Sequence, residues 1–136
     1  MTVQQIVLVD DNSIFCFIFQ KLVEKYNNNQ IKVIVFDNGQ SALDFFLENK
    51  NESQSLPKLV FVDINMPIMN GWQLLDALEA NNHPVLSRAP FFIVSSSDND
   101  IDINKSKEYS FVKDYLNKPI DRSRLFSLFD EYLSKL

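Results

Sequence analysis

Glycine is nearly missing: the 136-residue chain has two, Gly39 and Gly71. That excludes the glycine-rich loops whose backbone amides cradle phosphates, of the GxGxxG or GxxxxGK(S/T) kind. Cysteine is reduced to Cys16, so there is neither a disulfide nor a cysteine-rich zinc site. The single histidine, His83, precedes Pro84 in a predicted loop; it is expected at the surface and is assigned no role. Basic residues are outnumbered 13 to 18, and a net charge of −5 argues against a basic face for nucleic acid. No apolar run approaches the roughly 20 residues that cross a bilayer. The first apolar run is short and leads straight into acidic residues, unlike a signal peptide. A cytoplasmic protein with no membrane contact and no direct nucleic-acid binding is expected.

What is present is an apolar chain, 46% hydrophobic with twelve phenylalanines, long enough for one domain with a substantial core. Residues 1–136 are read as that one domain. Short runs of strand type recur: Gln5–Val9, Lys32–Phe36, Leu59–Asp63, Pro90–Val94 and Asp114–Asn117. Between them lie segments of helical period. Ile14–Tyr26 follows the capping candidates Asn12 and Ser13, with Phe15, Ile18, Phe19, Leu22 and Tyr26 predicted inward. Phe17 falls on the opposite side and Ile14 on the flank. Ser41–Glu48 turns Ala42, Leu43, Phe46 and Leu47 inward, and a third helix starts at Gly71. Asp98–Tyr109 is a weak helix of poor periodicity. Asp121 caps a final helix with Leu125, Phe129, Tyr132 and Leu136 inward. Five βα units imply a parallel sheet with helices on both faces. Right-handed crossovers and the length favour the flavodoxin-like three-layer sandwich, strand order 2-1-3-4-5.

The centre of this plan is the stretch Leu59 to Gly71. An apolar strand reaches one carboxylate, Asp63, and Pro67 then forces an irregular turn, because proline cannot donate to a ladder and biases Met66 away from helix. Carboxyl ends of strands are where open α/β sheets put their chemistry. Four polar groups fall at such ends: Asp10-Asp11, Asp63, Ser95 and Lys118. Taken singly, each has an ordinary reading, as a helix cap, a turn residue or a surface lysine. Their joint arrival at successive strand ends is what those readings explain poorly. Three carboxylates packed together repel, and a divalent cation resolves the conflict; an all-oxygen site suits Mg²⁺. With neither histidine nor thiol, such a site is suited to a phosphoryl group, which the metal and lysine would neutralise while a carboxylate attacks in line.

These residues, in this order, resemble the receiver domain of two-component response regulators, in its single-domain, chemotaxis-regulator-like form, over nearly the whole chain. The marks are Val7-Leu8-Val9-Asp10-Asp11, the Asp63-x-x-Met66-Pro67-x-Met69-x-Gly71 run, the hydroxyl of Ser95, and Tyr115-x-x-Lys118-Pro119. The resemblance implies that Asp63 accepts a phosphoryl group from a phosphohistidine on a sensor histidine kinase or histidine phosphotransfer protein. It implies Mg²⁺, or Mn²⁺ in its place, on Asp11, Asp63 and the backbone carbonyl of Asn65, with Asp10 assisting. Ser95 and Lys118 would hold the phosphoryl group, and Tyr115 would move with Ser95, repacking the surface of the fourth helix, fifth strand and final helix. A cis Lys118-Pro119 bond is also implied. Ser95 stands where threonine is commoner, and Ser110-Phe111-Val112-Lys113 stands where the family often has a Gly-Ala pair. The resemblance also puts Asn65 and Ser97 at the two positions that, in this family, tune how fast the phosphoryl group is lost.

Ile14 and Phe17, beside the acidic pair, are the expected docking spot for the phosphohistidine donor. No output domain follows the final helix, so readout is expected through docking or relay, or else through a domain cut away. No separate substrate turnover is expected. Two rivals remain: a degenerate receiver acting as a constitutive binding module, and an aspartate-nucleophile phosphatase resembling the haloacid dehalogenase type. The latter places its acid–base carboxylate two residues after the nucleophile, where this chain has Asn65.

Overall fold

The computed structural model describes residues 3–27 and 30–133. Five strands, β1 (Gln4–Val9), β2 (Ile31–Phe36), β3 (Leu59–Asp63), β4 (Phe91–Ser95) and β5 (Val112–Asn117), form one parallel sheet of order β2-β1-β3-β4-β5. The helices are α1 (Ser13–Asn27), α2 (Gly39–Glu48), α3 (Gly71–Ala80), a single turn α4 (Val85–Arg88), α5 (Asp100–Ser106) and α6 (Arg122–Tyr132). A short 3-10 turn spans Ser53–Ser55 in the loop before β3. The flavodoxin-like sandwich and its strand order are as the sequence predicts.

The central strands are buried on both faces, so alternation divides their side chains between two cores. Ile6, Leu8, Phe61, Phe92 and Val94 pack with Phe19 and Val23 of α1 and with Leu125 and Phe129 of α6. Val7, Val9, Val60, Val62 and Ile93 pack with Phe46 of α2 and with Leu74, Leu75 and Leu78 of α3. Apolar burial at about 25 cal/mol per Å² is the dominant stabilisation of such a sandwich.

Side-chain caps set where the helices begin. Asn38 accepts from the Ser41 amide, Asn70 and Gln73 form a reciprocal capping box, and Asp121 accepts from the Arg124 amide. Helix α2 accordingly starts two residues earlier than predicted. Strand β5 starts at Val112, so the predicted loop 110–113 lends its last two residues to the sheet.

Four other expectations are corrected. Ile18 is 51% exposed rather than inward, because the buried line of α1 runs through Cys16, Phe19 and Val23. Leu47 is also exposed. The segment after α3 contains the turn α4, whose four residues are too few to show a period. His83 is 2% exposed, not a surface residue. Its Nδ1 accepts from the Val85 amide at 3.0 Å and its Nε2 lies 2.6 Å from the Phe46 carbonyl oxygen. An amide can only donate and a carbonyl only accept, so the ring is the neutral tautomer with the proton on Nε2. Burial holds its pKa below the usual 6.5. Leu136, predicted inward, lies outside the described residues.

Candidate functional site

Strand register brings the polar strand ends to one edge. Val9 pairs with Val62, so Asp10 and Asp63 leave neighbouring strands at the same level. Ser95 pairs with Asn117, and the Lys118 amide donates to the Ser95 carbonyl at 2.8 Å. Asp10, Asp63 and Ser95 are buried while Asp11 is exposed, so the cleft has a closed floor and one carboxylate at its mouth. Oxygens of Asp10, Asp11 and Asp63 lie within 4.8 Å of one another.

One ammonium reaches two of the three. Lys118 Nζ is 2.7 Å from Asp10 Oδ2 and 3.8 Å from Asp63 Oδ1. The other Asp10 oxygen accepts from the Asn12 amide at 2.9 Å, and Asp63 Oδ1 accepts from the Ile64 amide at 2.9 Å. Burial first, then the Asp10 charge, raise the Asp63 carboxyl to about 6, against the opposing pull of Lys118. Three carboxylates facing one ammonium leave negative charge uncompensated. The donor set, all oxygen and partly solvated, fits a hard divalent cation such as Mg²⁺. Asn65 lies two residues beyond Asp63, exposed in the loop between β3 and α3.

That loop is clamped at both ends, which the sequence reading missed. The Gly71 amide donates to the Ile64 carbonyl and the Gly39 amide to the Met69 carbonyl, each at 2.9 Å. A Cβ on Gly71 would stand 2.3 Å from the Asp63 carbonyl oxygen, and one on Gly39 would stand 2.6 Å from that of Met69. Both glycines are therefore demanded by close backbone approach around the Asp63 loop. Ile68, between the clamps, is 80% exposed with φ +69°, costly backbone for a β-branched residue. Only Pro67 and Gly71 hinted at this geometry in the sequence.

On the far side of the cleft Ser95 Oγ accepts from the Ser97 amide at 3.0 Å. The Ser97 carbonyl accepts from the Tyr115 hydroxyl at 2.7 Å and from Asn117 at 3.1 Å. Ser97 therefore joins Ser95 to Tyr115, a link that no local pattern reveals. The Lys118-Pro119 bond is cis. Beside the cleft, Ile14 and Phe17 are 71% and 61% exposed, and Ile18 joins them on the same helix face.

Clustered carboxylates beside an ammonium and a hydroxyl have the chemistry that suits a divalent cation and a phosphoryl group. The chain belongs to the response regulator receiver domain family, which it matches over residues 6–130. It is similar to protein PilH of Pseudomonas aeruginosa, at 27% identity over 96% of this chain and 98% of PilH. It is also 27% identical to hybrid signal transduction histidine kinase I of Dictyostelium discoideum, over 99% of this chain but 8% of that protein. It thus spans nearly all of one relative and a small part of the other. A two-component response regulator from Cytophaga hutchinsonii has the same fold, with a TM-score of 0.84, 24% identity, and 99% and 100% of the two chains covered. The Mn²⁺-bound form of response regulator Rcp1 superposes with a TM-score of 0.70 at 27% identity, covering 94% of this chain and 90% of that one. The protein is a receiver domain of two-component signalling, and no helix among the described residues could cross a membrane.

Proposed function

We propose that residues 1–136 form one receiver domain in which Asp63 is the phosphoacceptor, taking its phosphoryl group from a phosphohistidine of a sensor kinase or histidine phosphotransfer protein. The observation that carries this reading is the meeting of Asp10, Asp11, Asp63, Ser95 and Lys118 at one sheet edge, with the Lys118 ammonium between two carboxylates. Asp63 is the acceptor because it ends the central strand of the cleft, with Asp10 just past the end of one neighbouring strand and Ser95 at the end of the other.

A carboxylate oxygen of Asp63 attacks phosphorus in line as the phosphorus–nitrogen bond of the donor breaks. The bonding pair stays on the ring nitrogen, so a donor imidazole protonated on its other nitrogen leaves neutral. Asp11, Asp63 and the Asn65 carbonyl would hold Mg²⁺, or Mn²⁺ in its place, with Asp10 assisting. When bound, that ion supplies neutralisation of the phosphoryl oxygens. Lys118 pairs with a phosphoryl oxygen in place of Asp63. Ser95 exchanges its bond from the Ser97 amide for one to the phosphoryl group. The Ser97 carbonyl, and with it the Tyr115 hydroxyl, then shifts, and the surface of α5, β5 and α6 repacks. Ile14 and Phe17 dock the donor. The domain acts on its own Asp63 and turns over no separate substrate, and it works in the cytoplasm without touching nucleic acid.

Intact-mass measurement after incubation with acetyl phosphate tests this, with and without Mg²⁺, on wild type and Asp63→Asn. One added phosphoryl group that requires both Mg²⁺ and Asp63 is expected. An unlabelled wild type, with acetyl phosphate and with a phosphorylated kinase, would leave only a constitutive binding module. Phe17→Asp should slow transfer from the cognate phosphohistidine donor and leave acetyl phosphate labelling intact; equal loss with both would count against docking.

A further inference from the structure

The ammonium of Lys118 has a third neighbour besides its two carboxylates. It stands over the face of the Phe15 ring, 4.5 Å from the centroid. We propose that Phe15 is a positioning residue for the phosphoryl transfer, its aromatic face being a cation–π seat that keeps the Lys118 ammonium at the mouth of Asp63. The proposal rests on the phosphoacceptor reading above and adds a residue to it.

The ring is held in place from two directions. The side chain of Asn12 accepts from the Phe15 amide at 3.0 Å and so sets the first turn of α1. The backbone amide of the same Asn12 holds Asp10 Oδ1, which ties the placement of the ring to that of the carboxylate. Behind it Phe15 packs on Phe19 with centroids 6.2 Å apart, and Phe19 meets Phe61 of β3 edge-on at 5.1 Å. Phe15 therefore packs against the core on one side and meets the Lys118 ammonium with a ring face. The Lys118 side chain is 13% exposed, so the contact is largely desolvated, the condition under which cation–π attraction is strongest.

Chemistry explains why an aromatic face suits this position. Lys118 leans on Asp10, and a divalent cation drawing on the same carboxylates would leave Asp10 less charge to offer it. A further carboxylate could hold the ammonium, but it would repel an incoming phosphoryl group and compete for the metal. An aromatic ring attracts the ammonium through its quadrupole and carries no net charge to do either.

The decisive test replaces Phe15 by phenylalanines bearing one, two or three ring fluorines, which drain the quadrupole with little change of volume. Acetyl phosphate labelling with Mg²⁺ is followed by intact mass. The labelling rate is expected to fall step by step with fluorine number, to roughly 3- to 10-fold below wild type at the end of the series. Phe15→Leu should be similarly slow, and Phe15→Tyr, which keeps the face, should recover most of the rate. A flat fluorine series in a protein whose unsubstituted form is labelled overturns the proposal, even if Phe15→Leu is slow, because Phe15 would then merely pack. An independent reading comes from NMR of the metal-free, unphosphorylated protein. The ε-methylene protons of Lys118 should be shifted upfield by the ring and return toward ordinary values in Phe15→Leu. Absence of that shift overturns the contact itself. Should the wild type take no phosphoryl group at all, the phosphoacceptor reading fails, and the NMR result still decides the seat.

Discussion

Two of the buried titratable sites, His83 and the carboxylate cleft, obey opposite rules. At His83 every polar atom has a partner of the right kind: Nε2–H faces a carbonyl, Nδ1 faces an amide, and the ring is neutral. At the cleft three carboxylates crowd together, one ammonium pairs with two of them, and the Asp63 carboxyl is driven up to about 6 by burial and by Asp10. Both are shifted chiefly by desolvation, yet one site is satisfied and the other is not. Satisfied burial joins parts of the fold, here the Phe46 carbonyl in α2 to the start of α4. Unsatisfied burial stores an electrostatic demand that a metal and a phosphoryl group can answer. Folding alone would not assemble the second arrangement, because it costs stability.

The largest predicted effect breaks the satisfied site. His83→Ala leaves a buried carbonyl and a buried amide without partners and opens a cavity, so thermal or urea unfolding should show a loss of about 3 kcal/mol. Next, Gly71→Ala forces a Cβ against the Asp63 carbonyl and should cost roughly 2 kcal/mol while slowing acetyl phosphate labelling. An unchanged unfolding midpoint would mean that the loop yields more easily than the clamp implies. The opposite sign is expected in the cleft. Asp63→Asn removes a strained charge and should stabilise the metal-free protein at pH 7 by about 1–2 kcal/mol, less than the full pKa shift because Lys118 and cleft water screen the charge. Added Mg²⁺ should raise the melting temperature of wild type and not that of the variant.

The two sites should also answer pH in opposite directions. The folded Asp63 carboxyl keeps its proton longer than the unfolded one. Its favourable contribution is complete below about 3.8 and is lost as pH rises through about 6. The folded imidazole of His83 gives up its proton more readily than the unfolded one, so its contribution holds above about 6.5 and is lost as pH falls below that value. Stability differences between wild type and Asp63→Asn, and between wild type and His83→Gln, should therefore slope oppositely between pH 4 and about 6.5. Parallel slopes would collapse the distinction between the sites. The smallest effect concerns backbone: Ile68→Asn, better suited to positive φ, should stabilise by roughly 0.5–1 kcal/mol.

Legibility in the sequence followed range. Asp10, Asp11, Asp63, Ser95 and Lys118 each close a strand, so their convergence could be read once strand order was inferred from alternation and crossover handedness. The exposed Ile14 and Phe17 followed from helical spacing. Ile18 and Leu47 did not, because apolar character names the residue and not the depth of the groove beneath it. His83 was misplaced because a loop carries no periodicity, and the partners that bury it come from Phe46 and Val85. Gly39 and Gly71 looked like ordinary punctuation until the Met69 and Asp63 carbonyls were seen beside them.

The sequence by itself determined the five βα units, the parallel sheet and which polar groups stand at its carboxyl edge, because periodicity and strand-end chemistry are local properties of the chain. Only the tertiary structure decided that Lys118 pairs most closely with Asp10, that Phe15 lies beneath its ammonium and that Ser97 joins Ser95 to Tyr115. Each of those contacts depends on ångström-scale distances between segments remote in the chain or on the packing of the loop after β4, and no local pattern encodes such distances.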